Sequence, residues 1–464
     1  MEHPLSTKPF FGRQKLVREI VQGVLDEQPQ DFALVAPKFC GKTRILDYLA
    51  AEDGPLCSRS QTDLRPEKFR DPSRIIALSI DCKQREAQER FREFLADKLS
   101  TRLREDRPFP IDWDQVPGES APSRRLLALA NQANRAEFRI VLLLNNFDAV
   151  LQGGHLKQAE LNELRPLTTE LALVMGSKHP LYDIDIELAS SSLFNMVRTL
   201  FVGPLEHEAA LEWITAYYRP LFPELTKELD DPLVHITGRH PFLLARLRET
   251  LLEVQKTLPA DKPLEMTDFK LISLRLAEHG RLLFETLSQT LHAPPPRAPQ
   301  NLVDEMLARM IDAPLPQTAI APDHEPVMSW LFNQAIVIYE DQTYRLFTPL
   351  FTDFLRQRSL TPDSERRRVQ PAPSAATTPA AGDGSLPRME ADLLRYLSRH
   401  ANQVVSAQEL LVEVWRLPAA TSERRVQEAI RRLRNHLKAQ TPPIGVIENE
   451  RGEGYRFVPL GDTE

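Results

Sequence analysis

The chain has 464 residues, an apolar share of 42% and a formal net charge of −7. That length exceeds one ordinary domain, and the composition allows large cores. The negative total excludes a basic field over the whole chain, so any nucleic-acid contact must come from a local patch. Three cysteines, Cys40, Cys57 and Cys82, without paired or Cys/His spacing, exclude a disulfide framework and a zinc site.

The opening residues, MEHPLSTKPFFGRQ, lack a basic stretch followed by an apolar one, and no apolar run approaches the length of a bilayer span. A soluble, cytoplasmic protein with no membrane partner is expected. Four short runs rich in Val, Ile and Leu then appear in order: Phe32–Ala36, Ile75–Ile80, Ile140–Leu144 and Leu171–Met175. Helical stretches separate them. Short apolar strands alternating with helices predict a parallel sheet covered on both faces, so residues 1–204 read as an α/β P-loop NTPase core.

Residues 205–264 follow a helical pattern and form a lid. Residues 265–360 read as a long helix, then helix, hairpin and helix, with the hairpin at Ile336–Phe347 turning at Glu340–Gln342. This is a small winged-helix-like unit, and because its hairpin carries few cations its expected role is packing. Residues 361–385, rich in Pro, Ala, Thr, Ser and Gly, have little to bury and read as a disordered tether. Its basic run Arg366–Arg368 reads as a solvated segment. Residues 386–464 form the last unit, an α+β winged helix.

Between the first strand and the next helix lies APKFCGKT, Ala36–Thr43. It has the spacing of a phosphate loop, with Ala36 where the first glycine is usual. Backbone N–H groups at a helix N-terminus would face the phosphates of ATP or ADP. These come from Pro37, Lys38, Phe39, Cys40, Gly41, Lys42, Thr43 and Arg44, proline contributing shape alone. Gly41 allows close approach, Lys42 neutralises the β- and γ-phosphates, and Thr43 offers a hydroxyl to Mg²⁺. Cys40, inside the loop, reads as a small inert side chain rather than a redox group.

The third strand ends in LLLNNFDAVL. An acidic pair here would hold Mg²⁺ and polarise water. Asn145 and Asn146 stand in those places, and an amide carries neither the charge for the metal nor a base. Asp148, three residues beyond Asn145, and Asp81, at the end of the second strand, are nearby acids that do not clearly substitute. The expectation is nucleotide binding with slow or no hydrolysis.

The series FFGRQKLVREI, APKFCGKT, LLLNNFDAVL, LVMGSKHPL, SSSLFNMVRTLFVGPLEHEAAL and HITGRHPFLLARL, over roughly residues 9–358, resembles the STAND class of signal-transduction ATPases, relatives of AAA+ and origin-recognition ATPases. The resemblance implies that Gly12 and Arg13 lie near the adenine, that Lys178 takes a phosphate-sensing position, and that Pro241 packs on the base. His240 reads as an interdomain packing residue. The family's acidic pair is absent, which leaves a nucleotide-locked switch without efficient hydrolysis. Self-association through this module is a further expectation.

Farther on, Ser406–Trp415 opens with a Ser cap and a Glu three residues later, a capping-box start. The next helix places Val426, Ile430, Leu433 and Leu437 on one face. Arg424, Glu428, Arg431 and Asn435 lie opposite, flanked by Arg425, Arg432 and Lys438. Such a stripe suits a recognition helix in a major groove. A hairpin follows, with Arg451 on its tip or flank, suited to phosphate or minor-groove contact, and Tyr455 is a further candidate for DNA contact. The stretch from Leu386 to about Pro459 resembles the OmpR/PhoB-type winged helix-turn-helix. That resemblance implies a recognition helix at Glu423–Leu437, a wing at Val446–Val458 and double-stranded DNA as partner.

Three functions are open at this point. The first is a nucleotide-binding transcriptional regulator in which the STAND-like module replaces a receiver domain as the input. The second is an origin-type or transposition-associated ATPase acting on DNA. The third is an inactive scaffold in a signalling or defence complex. Loss of the hydrolytic carboxylates and the regulator-type DNA reader favour the first.

Overall fold

Apolar residues on alternate sides of each strand build the N-terminal sheet. In β1 (Phe32–Val35), Phe32 and Leu34 join one core cluster while Ala33 and Val35 join another. In β3 (Arg139–Asn145), Ile140, Leu142 and Leu144 face the second cluster, and Val141 and Leu143 the first. A strand buried on both faces needs apolar residues throughout, which is why these runs are nearly continuous.

The computed structural model describes residues 10–105, 109–118, 120–152, 156, 158–184, 194–222, 225–259, 262–295 and 298–360, and toward the C-terminus 393–394, 396–398, 400–401, 403–414, 426, 429–431, 433–434, 437, 445–450 and 454–459. Two compact units divide at 366/367.

In the first unit, β2 (Ile75–Asp81) and β4 (Ala172–Ser177) join β1 and β3, and β5 (Arg198–Phe201) completes an all-parallel sheet in the order β2-β3-β4-β1-β5. On one face lie α1 (Gln14–Val24) and α2 (Lys42–Ala50). The other is covered by α4 (Phe91–Glu105) and α5 (Pro122–Arg135), followed by α6 (Asp148–Gln152), α7 (Gln158–Leu164) and α8 (Leu181–Ile184), with the short α3 (Arg85–Glu89) against α4 and α6. This strand order with a loop leading from β1 into α2 is the P-loop NTPase fold. The four expected strands are present, each extended or trimmed by a residue or two. The fifth was not read from the sequence: RTLF is a four-residue edge strand with exposed ends and no continuous apolar run.

Beyond the sheet come α9 (His207–Glu212), a π-helical turn at Trp213–Tyr218, α10 (Asp230–Thr237) and α11 (Pro241–Thr257). There follow α12 (Phe269–Leu291), α13 (Gln300–Asp312), β6 (Leu315–Pro316), α14 (Glu325–Asn333), β7 (Val337–Glu340), β8 (Thr343–Leu346) and α15 (Pro349–Leu360). Strands β7 and β8 pair antiparallel, and β6 pairs with β8. The turn between β7 and β8 is Asp341–Gln342, with φ of 48° and 58°. Two residues with positive φ give the mirror-image turn that matches the strand twist. One apolar cluster runs from Leu205 to Leu355, so the helical lid and the winged-helix-like unit share a core. Gly238 joins them: its φ is +56°, and a Cβ there would sit 2.1 Å from the Phe347 carbonyl oxygen.

In the second unit, β9 (Val404–Val405), β10 (Gly445–Glu450) and β11 (Gly454–Pro459) form an antiparallel sheet in the order β10-β11-β9. Helix α16 (Ala407–Glu413) is capped by Ser406, whose hydroxyl oxygen accepts from the Glu409 backbone N at 3.0 Å. The Glu409 carboxylate accepts from the Tyr396 hydroxyl at 2.9 Å. Val426, Ile430, Leu433 and Leu437 are buried with Leu393, Leu397, Val405 and Leu410, as their helical spacing requires. Among the described residues, no helix is long and apolar enough to cross a membrane.

Candidate functional site

The phosphate loop leaves the carboxyl end of β1 and enters α2 at Lys42. Ala36 in place of glycine costs nothing, since it does not adopt positive φ. The left-handed positions are Phe39 (φ 71°) and Gly41 (φ 87°). A non-glycine residue held left-handed costs on the order of 1 kcal/mol or more. Phe39 is held by packing on Phe242 of α11, ring centroids 4.7 Å apart. Ala36, Pro37 and Cys40 are buried, Lys38 and Thr43 are exposed, and Arg44 is half-buried.

Lys42 Nζ donates to the Ala36 carbonyl and to that of Pro37 at 3.0 Å. Burial, the largest influence, lowers its pKa to about 8. Arg13 reaches the same loop from the N-terminus of α1. Its guanidinium donates to the carbonyls of Cys40 (2.5 Å) and Gly203 (3.0 Å), and its backbone N donates to Glu206 Oε2 (2.9 Å). It is 6% exposed, and burial lowers its pKa to about 10. Gly12 must be glycine twice over, with φ +68° and a would-be Cβ 2.6 Å from Ala209 Cβ and 2.7 Å from Glu206 Oε2. The residues that the resemblance set near the adenine thus tie the N-terminal segment to the lid and to the phosphate loop. Glu206 was missed in the sequence; its signal there is its place immediately ahead of the helix His207–Glu212.

At the end of β3, Asn145 Oδ1 accepts from the Thr43 hydroxyl at 3.1 Å. Asn146 has φ 55°, a conformation asparagine tolerates better than most residues, and its Nδ2 donates to Asp81 Oδ1 at 2.9 Å. Asp148 begins α6, is 2% exposed, and pairs with Lys178 Nζ at 2.9 Å. The one acid of the motif is therefore sunk and spent on Lys178. Asp81 Oδ1 also accepts from the Lys83 backbone N at 3.0 Å.

Behind the loop, Cys40 Sγ lies 3.5 Å from His240 Nε2, both fully buried. His240 precedes Pro241, the half-buried first residue of α11, and its Nδ1 accepts from the Phe242 backbone N at 3.3 Å. The His240 ring packs on Phe347, 5.5 Å between centroids. His240 thus packs between the phosphate loop and Phe347. Among the described residues there is no metal-holding cluster of His, Cys, Asp or Glu.

In the second unit, Arg431 is exposed, on the face opposite the buried Val426, Ile430 and Leu433. Arg434 Nε donates to the Ile447 carbonyl at 2.9 Å and clips the helix to β10. Tyr455, expected to face DNA, is 8% exposed and belongs to the core. The cause is alternation: it shares a face of β11 with buried Phe457. Arg424, Arg425, Glu428, Arg432, Asn435 and Arg451 lie outside the described residues.

Residues 382–457 match the family model described as transcriptional regulatory protein, C terminal. Over 80 residues the chain is 39% identical to protein RcaC of Microchaete diplosiphon, a match covering 17% of this chain and 12% of that protein. The chain spans only this small fraction of that relative. Among solved structures, the Walker-type ATPase of Pyrococcus abyssi covers 75% of this chain and 96% of its own length, at 16% identity and a TM-score of 0.45. The ORC2 protein of Aeropyrum pernix, in its ADPNP–ADP complexes, covers 76% and 97%, at 11% identity and a TM-score of 0.41. It is the strand order and the phosphate loop that make the first domain a P-loop ATPase-type fold, and the chain joins that fold to a segment matching the C-terminal domain of transcriptional regulatory proteins.

Proposed function

We propose that this chain is a nucleotide-binding, DNA-binding transcriptional regulator, in which a STAND-like P-loop module with weak or no hydrolysis controls the C-terminal winged helix. One observation carries the reading: a loop that keeps the lysine and glycine of a phosphate loop, Lys42 and Gly41, stands beside Asn145 and Asn146, in the same chain as a regulator-type segment at 382–457. ATP or ADP would be held by the backbone N–H groups of Lys38–Thr43 and by Lys42. Gly12, the backbone of Arg13 and Pro241 would lie on the base side, with the Arg13 guanidinium turned toward the phosphate loop, and Lys178 would lie beside the phosphates.

In this reading hydrolysis is poor because, among the described residues of the motif, no free carboxylate stands beside Thr43. Asn145 is neutral, and Asp148 is occupied by Lys178. The exposed face of the helix bearing Arg431, with Arg424, Arg425, Glu428, Arg432 and Asn435, would enter the major groove of double-stranded DNA, and Arg451 would reach the backbone. Self-association through the P-loop module belongs to the same reading.

The experiment is genome-wide occupancy of the tagged protein, run beside nucleotide analysis of the purified material. Discrete promoter-proximal sites and co-purifying ADP or ATP are expected, with phosphate release well below about 1 s⁻¹. Faster turnover abolished by Lys42→Ala would contradict it, and so would absence of both DNA and nucleotide.

A further inference from the structure

A divalent metal on a phosphate loop is held by the nucleotide, by the loop hydroxyl and by carboxylate charge close behind. The residues here do not fit that task. The Thr43 hydroxyl donates to Asn145 Oδ1, a neutral acceptor. Asn146 turns away in a left-handed conformation to bond Asp81. Asp148 is 2% exposed and neutralised by Lys178. Asp81 Oδ1 is taken by the Asn146 amide and the Lys83 backbone N. A carboxylate at 146 in place of the amide would face Asp81 as a like charge.

The cations are arranged in the opposite sense. Arg13 and Lys42 both lie against the loop, and among the described residues their side chains donate to carbonyls: Cys40 and Gly203 for Arg13, Ala36 and Pro37 for Lys42. Among the described residues neither guanidinium nor ammonium has an ion-paired carboxylate. Glu206 acts on Arg13 and Asp148 on Lys42 only at longer range, and a buried cation without a close ion pair is costly and is relieved by an arriving anion. Burial accordingly pulls both groups below their usual pKa. An added Cβ on Gly41 would sit 2.9 Å from Arg13 Nη1, so the guanidinium flanks the turn that would receive the phosphates.

We infer that the nucleotide site of this chain works without a divalent metal, with Arg13 and Lys42 meeting phosphate charge that a carboxylate-held cation meets elsewhere. The inference rests on the nucleotide-binding reading above and sharpens it. Asn145 is a positioning residue here: it holds Thr43 without supplying charge. Lys178 is left to Asp148, so its removal does not create a metal site unless Asp148 also leaves the core.

The test is a fluorescence titration of the full chain with mant-ADP, in excess EDTA and in millimolar MgCl₂. The two dissociation constants should agree within about threefold. Asn145→Asp, which returns the carboxylate, should make binding metal-sensitive, with EDTA weakening it by about tenfold or more. A wild-type chain that loses about tenfold in EDTA overturns the inference while leaving the nucleotide reading intact. An Asn145→Asp chain that also ignores EDTA removes its physical basis. Should that variant fail to fold, the wild-type pair of titrations decides alone. No binding in either buffer overturns the nucleotide reading, and the inference with it.

Discussion

Cys40 Sγ and His240 Nε2 lie 3.5 Å apart, 200 residues separated in sequence and both fully buried. The contact joins the phosphate loop to the start of α11, and through the His240 ring to Phe347. Burial pushes the thiol up to about 11 and the imidazole down to about 3, so the pair is neutral at physiological pH. It packs; it is no thiolate–imidazolium nucleophile. Iodoacetamide at neutral pH should modify the partly exposed Cys57 and spare Cys40 until the protein unfolds, as mapped by peptide mass spectrometry. Labelling of Cys40 at the rate of Cys57 would contradict this packing.

The Asp148–Lys178 pair makes a second prediction. Asp148 is 2% exposed and Lys178 is 31% exposed. Removing the lysine strands a buried carboxylate, so Lys178→Ala should cost about 3–5 kcal/mol. Replacing both residues, Asp148→Leu with Lys178→Met, should recover most of that loss, since apolar groups of similar size leave no charge to desolvate. Urea unfolding of the three proteins measures it. Equal stability of wild type and Lys178→Ala would place the carboxylate in water instead.

Asp31, just ahead of β1, carries a third. Its Oδ1 accepts from the Leu173 backbone N at 2.7 Å, while Oδ2 is buried without a partner. Burial, opposed by that hydrogen bond, raises its pKa to about 7. Between pH 4 and 7 the folded chain keeps this proton and the unfolded chain has lost it. Stability from this group is therefore full at low pH and falls as pH rises toward 7, by on the order of a few kcal/mol. Asp31→Asn should remove that slope. Unfolding free energies at pH 5 and pH 8 should thus differ more in wild type than in the variant; identical differences would refute the shift.

Two arginines three residues apart should behave oppositely. Arg431 is exposed, while Arg434 is fixed to the Ile447 carbonyl. Arg431→Ala should cost roughly 1–3 kcal/mol of specific DNA affinity. Arg434→Ala should lower the melting temperature of the C-terminal unit, having lost a side-chain clip worth about 1 kcal/mol. Anisotropy and thermal melts on the same preparations separate the two effects. An Arg431→Ala protein that binds like wild type would move the reading face elsewhere.

What the sequence showed plainly was what local patterning can encode. Four strands carry continuous apolar runs because both their faces are covered, and the helix containing Val426 and Leu437 shows its buried face by spacing alone. The edge strand at Arg198 has no such run and escaped. The phosphate loop was visible as a motif, but not the landing of Arg13 on it, since nothing local links residues 13, 40 and 203. Asn146 looked like a lost acid; its left-handed backbone and its bond to Asp81 give it a conformational reason. Tyr455 was read as a DNA-contact residue, although strict alternation with Phe457 already argued for the core.

The central claim, that the phosphate loop governs the DNA-reading unit, is tested most directly by DNA affinity at fixed nucleotide state. Duplexes selected by the full chain from a random library would be titrated by anisotropy without nucleotide, with ADP and with ATP. The account predicts that affinity differs between at least two of these states by about fivefold or more, and that Lys42→Ala abolishes the difference. Equal affinity in all three states, with nucleotide shown to be bound, would contradict it.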